Sequence, residues 1–239
     1  MHRFFADCPL HVGLALALPA DTARHVQVMR LQPGDDLTLF NGLGGSHTAR
    51  VLHMGRQTVE VEVLHHDPAE RESPVHTHIV IGMPANERMD WLVEKATELG
   101  VARITPVMTQ HTVLRLSGER ALKRQAHWQG IAQAACAQSG RNRVPLIDTP
   151  VALNEWLKTS AVHTTARKVL LSLQPHAHTW RAVWGGAAPT NMVLLSGPEG
   201  GLSAEEETAA MTAGFEAVHL GGRVLRAETA PLAVLAQLL

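Results

Sequence analysis

The chain has 239 residues, is 45% hydrophobic and carries a formal net charge of −1 at pH 7. This length suits one large or two small domains with a buried core, and the near-zero charge gives no general sign of a nucleic-acid-binding protein. The two cysteines, Cys8 and Cys136, lie far apart without a CxxC pair. Their spacing argues against a disulfide scaffold or a zinc ribbon and favours a reducing compartment.

Neither a signal peptide nor a membrane span is predicted. The apolar segment His11–Ala20 alternates with the period of a strand, and Asp7 stands where a signal peptide would carry basic residues. No apolar run is long enough to cross a bilayer. We therefore expect a cytoplasmic protein. Because the chain ends at Leu238-Leu239 without a capping signal, we expect the native chain to continue for a few residues.

The first 70 residues are predicted to form short strands around one helix, since their patterns have period two or are rich in β-formers. The predicted strands are Arg3–Ala6, Val12–Leu18, Leu37–Phe40, His47–Met54 and Thr58–Leu64. The helix is expected over about Thr22–Arg30 with Asp21 as its N-cap. A small closed or half-closed barrel would bury such strands without bare edges.

The remainder is predicted to be an α/β domain. The polar segment His65–Pro74 is typical of a linker, and after it strands and helices alternate, which predicts a mostly parallel sheet. The predicted strands are His78–Met83, Val101–Met108, Lys168–Leu173, Met192–Ser196 and Ala217–Leu220. A long helix from Ser117 to about Ser139 is expected to bury Leu122, Gln125, Trp128, Ile131, Ala132 and Ala135.

Charge is distributed unevenly along the chain. Between Ala85 and Pro145 there are nine Lys/Arg against five Asp/Glu, whereas the segments before and after are acidic. A basic middle is compatible with docking on RNA, and a solvated helix face explains it as well.

Two glycine-centred loops, Met192–Ser203 and Val218–Ala230, each follow an apolar strand. In open α/β sheets ligands bind beyond the carboxyl ends of the strands. Ser203 and Glu206 have the spacing of a capping box, and the acids Glu205–Glu207 disfavour an anionic ligand at that helix start. The loops predict a backbone-lined pocket for a neutral or cationic ligand, although spacing alone also allows two ordinary strand-to-helix turns.

Four sequence blocks in the same order resemble the SPOUT-class methyltransferases that methylate N3 of a uridine in bacterial 16S ribosomal RNA. The blocks are Glu87–Val101, Ala134–Pro145, Ser196–Ser203 and Leu220–Ala230. The resemblance implies an RNA-binding PUA-like β-barrel over residues 1–70 and a SPOUT methyltransferase domain over 71–239. It also implies a trefoil knot at about 168–239 that forms the S-adenosylmethionine (SAM) site, and a homodimer.

The resemblance places the cofactor among three strand-end loops. It implies that the cofactor contacts Leu171, Leu173, Gln174, Pro175, Ser196, Gly197, Pro198, Glu199, Gly200, Gly201, Leu220, Gly221, Val224, Leu225, Arg226 and Thr229. Direct contact between ligand and backbone would explain the glycines, because any Cβ would push the ligand away. Glu199 is expected near the sulfonium.

The implied chemistry is an in-line methyl transfer to a deprotonated uracil N3. Arg226 is the candidate to stabilise the charge that develops on the ring, and Glu228 is the candidate to orient Arg226 or relay the proton. An Arg226–Glu228 pair that merely holds the loop explains the two residues equally well. The candidate RNA-binding residues are Arg3, His25, Arg30, Arg88, Arg141 and Arg143.

The sequence gives little support to two rival functions, a metalloprotein and a hydrolase. The histidine clusters His65-His66, His76/His78 and His176/His178 lack the spacing of a zinc site, so no metal is expected. No GxSxG elbow indicates a hydrolase. A non-catalytic RNA- or nucleotide-binding module on the same fold remains the alternative, and affinity for SAM distinguishes the two.

Overall fold

The structure is a computed structural model of the chain. It describes residues 2–85, 87–159, 165–184 and 189–239. The chain divides into two compact units. The first comprises 1–72 and 133–144, and the second comprises 73–132 and 145–239. The sequence predicts a boundary near residue 70, but it does not predict that residues 133–144 belong to the first unit. No local feature of the composition marks that segment.

The first unit is a five-stranded sheet with one helix. Its elements are β1 Arg3–Phe5, β2 Ala15–Ala17, α1 Ala20–Val28, β3 Asp36–Phe40, β4 Ser46–Met54 and β5 Val59–Asp67. The strands are ordered β1-β3-β4-β5-β2, with β1 parallel to β3 and the other pairs antiparallel. The path ends at β1 and β2, so the sheet is an open form of the expected barrel. Leu37, Leu39, Val61 and Phe4 are among its fully buried side chains.

Several predicted boundaries in this unit were wrong. The strand expected from Val12 begins only at Ala15, because Gly13 has a φ of +82°, outside the strand region, and Val12 is exposed. The helix α1 begins two residues earlier than expected, with Pro19 rather than Asp21 at its N-cap. It ends at Val28, and Arg30 lies beyond it with a φ of +58°.

The second unit is built on an eight-stranded sheet. Its elements are β6 His76–Gly82, α2 Glu87–Glu98, β7 Arg103–Met108, α3 Gly118–Ser139, β8 Leu146–Ile147, β9 Val151–Ala152, α4 Leu153–Thr159, β10 Arg167–Leu171, β11 His178–Thr179, α5 Trp180–Trp184, β12 Asn191–Ser196, α6 Ala204–Thr212, β13 Glu216–His219 and α7 Thr229–Leu235. The order is β11-β13-β10-β12-β6-β7-β8, β9 lies beside β7, and these pairings are parallel. The expected parallel sheet is confirmed. The C-terminal residues of α3, from Gln133, belong to the first unit.

The long helix α3 has the expected bounds and buries Trp128, Ala132 and Ala135 as expected, but Leu122 is not buried. Trp128 is 2% exposed and its indole Nε1 donates to Asp90 Oδ1 at 2.9 Å, whereas Leu122 is 57% exposed. Ala121 lies seven positions before Trp128, on the same side of the helix, and is buried instead. The buried stripe therefore begins at Ala121 rather than at Leu122.

The sheet brings three strand ends together. Strand β10 lies between β12 and β13, with Leu170 level with Leu195 on one side and Ala217 on the other. Because the three strands are parallel, the loops that follow them leave the same edge. Val80, Val107, Leu170, Val193, Leu195 and Trp156 form an apolar cluster that supports the sheet. In the described part of the chain, no helix is both long and apolar enough to cross a membrane.

Candidate functional site

The three loops enclose a cavity of about 280 Å³ in the second unit. Its walls come from the chain after β10, β12 and β13 and from α6. The lining residues are Leu171–Gln174, Ser196–Leu202, Glu207, Val218–Leu220, Arg223–Leu225, Ala227 and Ala230. The cavity thus stands where parallel α/β sheets place their ligands.

Most of the residues expected at the cofactor line this cavity. Those that do not are Pro175, Gly221, Arg226 and Thr229. The lining residues that were not among the expected cofactor contacts are Ser172, Leu202, Glu207, Val218, His219, Arg223, Ala227 and Ala230. The signal for Ser172 was present, since a hydroxyl at the end of an apolar strand points to a polar role. Glu207 was assigned only to the helix dipole.

The protein's own packing and backbone conformation require the glycines of these loops, in addition to the expected contact with a ligand. A Cβ on Gly197 would lie 2.7 Å from the carbonyl carbon of Gly201 and 2.8 Å from the nitrogen of Leu202. A Cβ on Gly200 would lie 2.9 Å from the Cβ of His111. Gly201 and Gly221 have φ values of +69° and +123°, which only glycine adopts without strain.

The loop that follows β12 is held by hydrogen bonds within its connection to helix α6 and from the segment after β7. Ser203 and Glu206 form the predicted capping box, with the Glu206 N–H donating to Ser203 Oγ at 3.2 Å and the Ser203 N–H to Glu206 Oε2 at 3.0 Å. The Gln110 N–H donates to the other carboxylate oxygen of Glu206 at 2.8 Å. His111 Nδ1 lies 3.2 Å from the Gly201 carbonyl oxygen. The loop is therefore tied to the segment that follows β7 as well as to its own helix.

A buried hydrogen-bond chain connects two walls of the cavity. Ser172 Oγ lies 3.1 and 3.0 Å from the two carboxylate oxygens of Glu207, and it accepts a hydrogen bond from the Gln174 N–H at 3.1 Å. Ser172 and Glu207 are 5% and 7% exposed. Because a hydroxyl has one proton, it satisfies only one of these oxygens at a time. The Glu207 carboxylate keeps acceptor capacity for a donor group inside the cavity.

Glu199 lines the cavity but already has a cationic partner. Arg88 Nη1 donates to Glu199 Oε1 at 3.0 Å, and the Ala85 N–H donates to the same oxygen at 2.9 Å. Burial raises the pKa of Glu199, but the hydrogen bonds from the backbone N–H groups of Ala85 and Glu199 itself, together with Arg88, lower this pKa further than burial raises it. The pKa therefore lies below its usual value, and the carboxylate is held ionised against Arg88. Arg88, one of the six candidate RNA-binding residues, is therefore already paired with a carboxylate.

Glu228 and Arg226 do not form the ion pair by which Glu228 would orient Arg226 or hold the loop, whereas the proton-relay role of Glu228 needs no such pair. The Thr229 N–H donates to the Arg226 carbonyl at 2.9 Å, so the chain turns helically here. Residues two apart on a helical turn point to different sides. Arg226 is accordingly exposed, whereas Glu228 is 8% exposed.

The buried carboxylate of Glu228 is incompletely satisfied. Its Oε2 has no hydrogen-bond partner among the described residues, and it makes no side-chain cap to α7, whose N-cap it occupies. Ala227 and Ala230, on either side of it in sequence, line the cavity. An unpaired buried acceptor costs about 1–3 kcal/mol, which a donor from a bound molecule could recover.

Two of the candidate RNA-binding arginines are engaged within the first unit. Arg3 Nη2 donates to Asn142 Oδ1 at 2.7 Å and to the Arg141 carbonyl at 3.2 Å. Arg141 is 3% exposed and forms a two-bond ion pair with Glu72, with Nε 3.1 Å from Oε1 and Nη2 bonded to Oε2. The expectation that Arg141 contacts RNA is therefore wrong for this conformation, because the guanidinium is buried on a carboxylate.

Replacing Arg141 by alanine is expected to destabilise the protein by about 3 kcal/mol, because removal of one partner leaves Glu72 uncompensated. The free energy of unfolding in urea measures this. Arg143 is the matched control, since its side chain is 56% exposed and its Nε lies 3.5 Å from Glu70 Oε1. Its alanine variant should lose at most about 1 kcal/mol. Equal losses in the two variants would contradict a structural role for Arg141.

The other candidate RNA-binding residues remain accessible. His25 is exposed and its ring meets the Phe4 ring edge-on, with centroids 5.0 Å apart. Arg30 is exposed beyond α1. The sites of Arg30, His25 and Arg143 thus stay predictions for RNA contact.

Neither cysteine has the character of a nucleophile, and both are free thiols. Burial raises the pKa of Cys136 to about 11 and raises that of Cys8 as well. In the described ranges no cluster of three or more His, Cys, Asp or Glu side chains could hold a metal ion.

Comparison with known families matches nearly the whole chain. The family described as RNA methyltransferase domain matches residues 71–239, and the family described as RNA methyltransferase PUA domain matches residues 18–64. A relative from Mycobacterium tuberculosis, Ribosomal RNA small subunit methyltransferase E, is 30% identical over 95% of this chain and 87% of its own length. The protein of that name from Buchnera aphidicola (Schizaphis graminum) is 29% identical over 99% and 94%.

Two solved structures with a bound cofactor are also similar. A Ribosomal RNA small subunit methyltransferase E from Neisseria gonorrhoeae, bound to SAM, has 39% identity and a TM-score of 0.91, covering 99% of this chain and 96% of that one. A methyltransferase from Legionella pneumophila, also in complex with SAM, has 33% identity and a TM-score of 0.92 with the same coverage.

Proposed function

Because the chain belongs to the ribosomal RNA small subunit methyltransferase E family, we propose that it transfers the methyl group of SAM to N3 of a uridine in 16S ribosomal RNA. The observation that carries the proposal is the cavity at the ends of β10, β12 and β13, whose walls are built from the two loops with the family's sequence pattern. The alternative, a binding module without catalysis, has no specific observation in its favour.

The lining of the cavity fits SAM. Leu171, Leu173 and Leu220 offer apolar surface for a purine ring, and the loop Gly197–Gly201 offers backbone donors and acceptors at its edge. The remaining acceptor capacity of Glu207 suits an amino or ammonium group, and a cationic ligand matches the carboxylates in the walls. The chemistry of the residues thus agrees with a ligand that is apolar, rich in donors and positively charged at its centre.

SAM would supply the methyl group, whose bond to sulfur breaks as the bond to uracil N3 forms. The residues of the chain then have to position the base and accept its N3 proton. We assign acceptance of that proton to Glu228, whose Oε2 has no donor among the described residues. Arg226, two residues before it in sequence, is exposed and is assigned to the negative charge that develops on the ring. In this scheme the two residues act on the base separately, without an ion pair.

The finer organisation follows from the same family. We assign RNA binding to a PUA-like barrel over about residues 1–70, and methyl transfer to a SPOUT domain over 71–239 with a trefoil knot at about 168–239. The two family matches, which end and begin close to this boundary, support the division. We further propose that the protein acts as a homodimer in the cytoplasm, where ribosomal RNA is modified.

The test is direct. Purified protein is incubated with SAM and either transcribed 16S ribosomal RNA or assembled small subunits, and the nucleosides are analysed by mass spectrometry. We expect N3-methyluridine in at least one of the two substrates, and calorimetric binding of SAM. Methylation at another base atom would overturn the N3 assignment. Binding of RNA without affinity for SAM would favour the non-catalytic module.

A further inference from the structure

A row of basic side chains lies on α3, outside the cavity. Arg120, Lys123, Arg124 and His127 stand at positions i, i+3, i+4 and i+7, which places them on one face of the helix. Arg115, just before the helix, borders the same shallow groove. We call these five residues the α3 basic face. They belong to the second unit.

The positive charge of this face is largely uncompensated. Arg115, Arg120, Lys123 and Arg124 are exposed, and none forms an ion pair with any described residue. Two acids lie nearby. Glu119 precedes Arg120 on the helix, and Asp90 of α2 accepts from His127 Nε2 at 2.8 Å and from Trp128.

Two other arginines of the second unit are paired with carboxylates instead. Arg103 Nε lies 2.8 Å from Asp148 Oδ2, and Arg167 Nη2 lies 3.4 Å from Glu216 Oε2. Like charges three or four apart on a helix destabilise it slightly. The stability of α3 therefore does not explain why this face has four cations, and an anionic partner does.

The α3 basic face is connected to the cavity through the segment Thr109–Leu116. Arg115 Nη2 donates to the Gln110 carbonyl at 3.3 Å, and the Gln110 N–H donates to Glu206 of the capping box at 2.8 Å. In the same segment, His111 contacts the Gly201 carbonyl. Arg115 is therefore linked to the loop that lines the cavity through hydrogen bonds of Gln110 and Glu206.

We propose that the α3 basic face binds the phosphate backbone of the RNA strand that carries the target base. This inference rests on the proposed function, since it takes the RNA substrate from it. Guanidinium groups form paired, charge-assisted hydrogen bonds with phosphate, and such contacts fix register without reading sequence. The face therefore positions the strand beside the cavity, while recognition of the base is left to other residues.

The test compares three variants in equilibrium binding to transcribed 16S ribosomal RNA between about 50 and 200 mM KCl. The first carries Arg120→Gln, Lys123→Gln and Arg124→Gln. The second carries Arg120→Lys, Lys123→Arg and Arg124→Lys, which keep the charge. The third, a charge-matched control in the same unit, carries Lys158→Gln, Arg167→Gln and Arg181→Gln. Affinity for SAM is measured on each as a check of the folded cavity.

We expect the first variant to bind RNA more weakly and to reduce the slope of log affinity against log salt by about 2, because three phosphate contacts are lost. The charge-keeping variant and the control should retain the wild-type slope. An unchanged slope in the first variant overturns the inference. Wild-type protein that methylates neither substrate overturns the proposed function, whereas the salt slopes judge the α3 basic face independently of transfer.

Discussion

Replacing Gly197 by alanine is expected to reduce the affinity for SAM about a hundredfold. The new Cβ would lie within 3.0 Å of three backbone atoms of Gly201 and Leu202, and backbone cannot move aside as a flexible side chain can. Overpacking of this kind costs about 1–3 kcal/mol, and 2.8 kcal/mol corresponds to a hundredfold change in affinity. The strain falls on the loop Ser196–Leu202, which forms one wall of the cavity. Isothermal titration calorimetry with SAM measures the effect.

Gly222 provides the matched control in the neighbouring loop. Nothing lies within 4 Å of a Cβ built there, and its φ is outside the left-handed region. The Gly222→Ala variant should therefore bind SAM as the wild type does. If Gly197→Ala also bound SAM normally, the loop would have room to relax, and its glycine would not be required by the packing described above.

Replacing Glu228 by glutamine is expected to lower kcat by about a hundredfold or more, while the affinity for SAM stays unchanged. Proton transfer by a positioned side chain contributes about 10²–10⁴-fold to rate, and an amide is too weak a base to take the N3 proton. The replacement keeps the size of the buried side chain, so the start of α7 should be preserved. Single-turnover transfer to 16S ribosomal RNA, with SAM binding measured in parallel, gives the two quantities.

Glu205 is the control carboxylate for this experiment, since it is exposed on α6 whereas Glu228 is buried. Glu205→Gln should leave both quantities unchanged. A loss of SAM affinity in Glu228→Gln with normal turnover would assign Glu228 to cofactor binding. Unchanged turnover and affinity would remove it from the site altogether.

The location of the cavity was predictable from the sequence because its signals are local. Apolar strands followed by glycine turns predict strand ends that carry loops, and Ser203 with Glu206 predicts the capping box at its observed position. The order of the strands was not predictable in this way. The placement of β10 between β12 and β13 depends on pairings between distant segments, and it decides which loops meet.

The side-chain partners were the least predictable part of the site. A count of basic residues identifies Arg141 and Arg120 equally, yet the first is buried on Glu72 and the second is exposed on α3. Likewise, the sequence places Arg226 and Glu228 close together, but the helical turn between them separates their side chains. Such pairings depend on tertiary packing, about which residue type and spacing contain little information.

The hydrogen bond between Ser172 and Glu207 joins chain segments that follow different strands, one after β10 and the other within α6. Movement of either segment would break this bond and leave the buried carboxylate of Glu207 without this hydrogen-bond donor. A molecule that binds against one of these walls therefore also restrains the other. The amide hydrogens of the two segments should then become protected from exchange together.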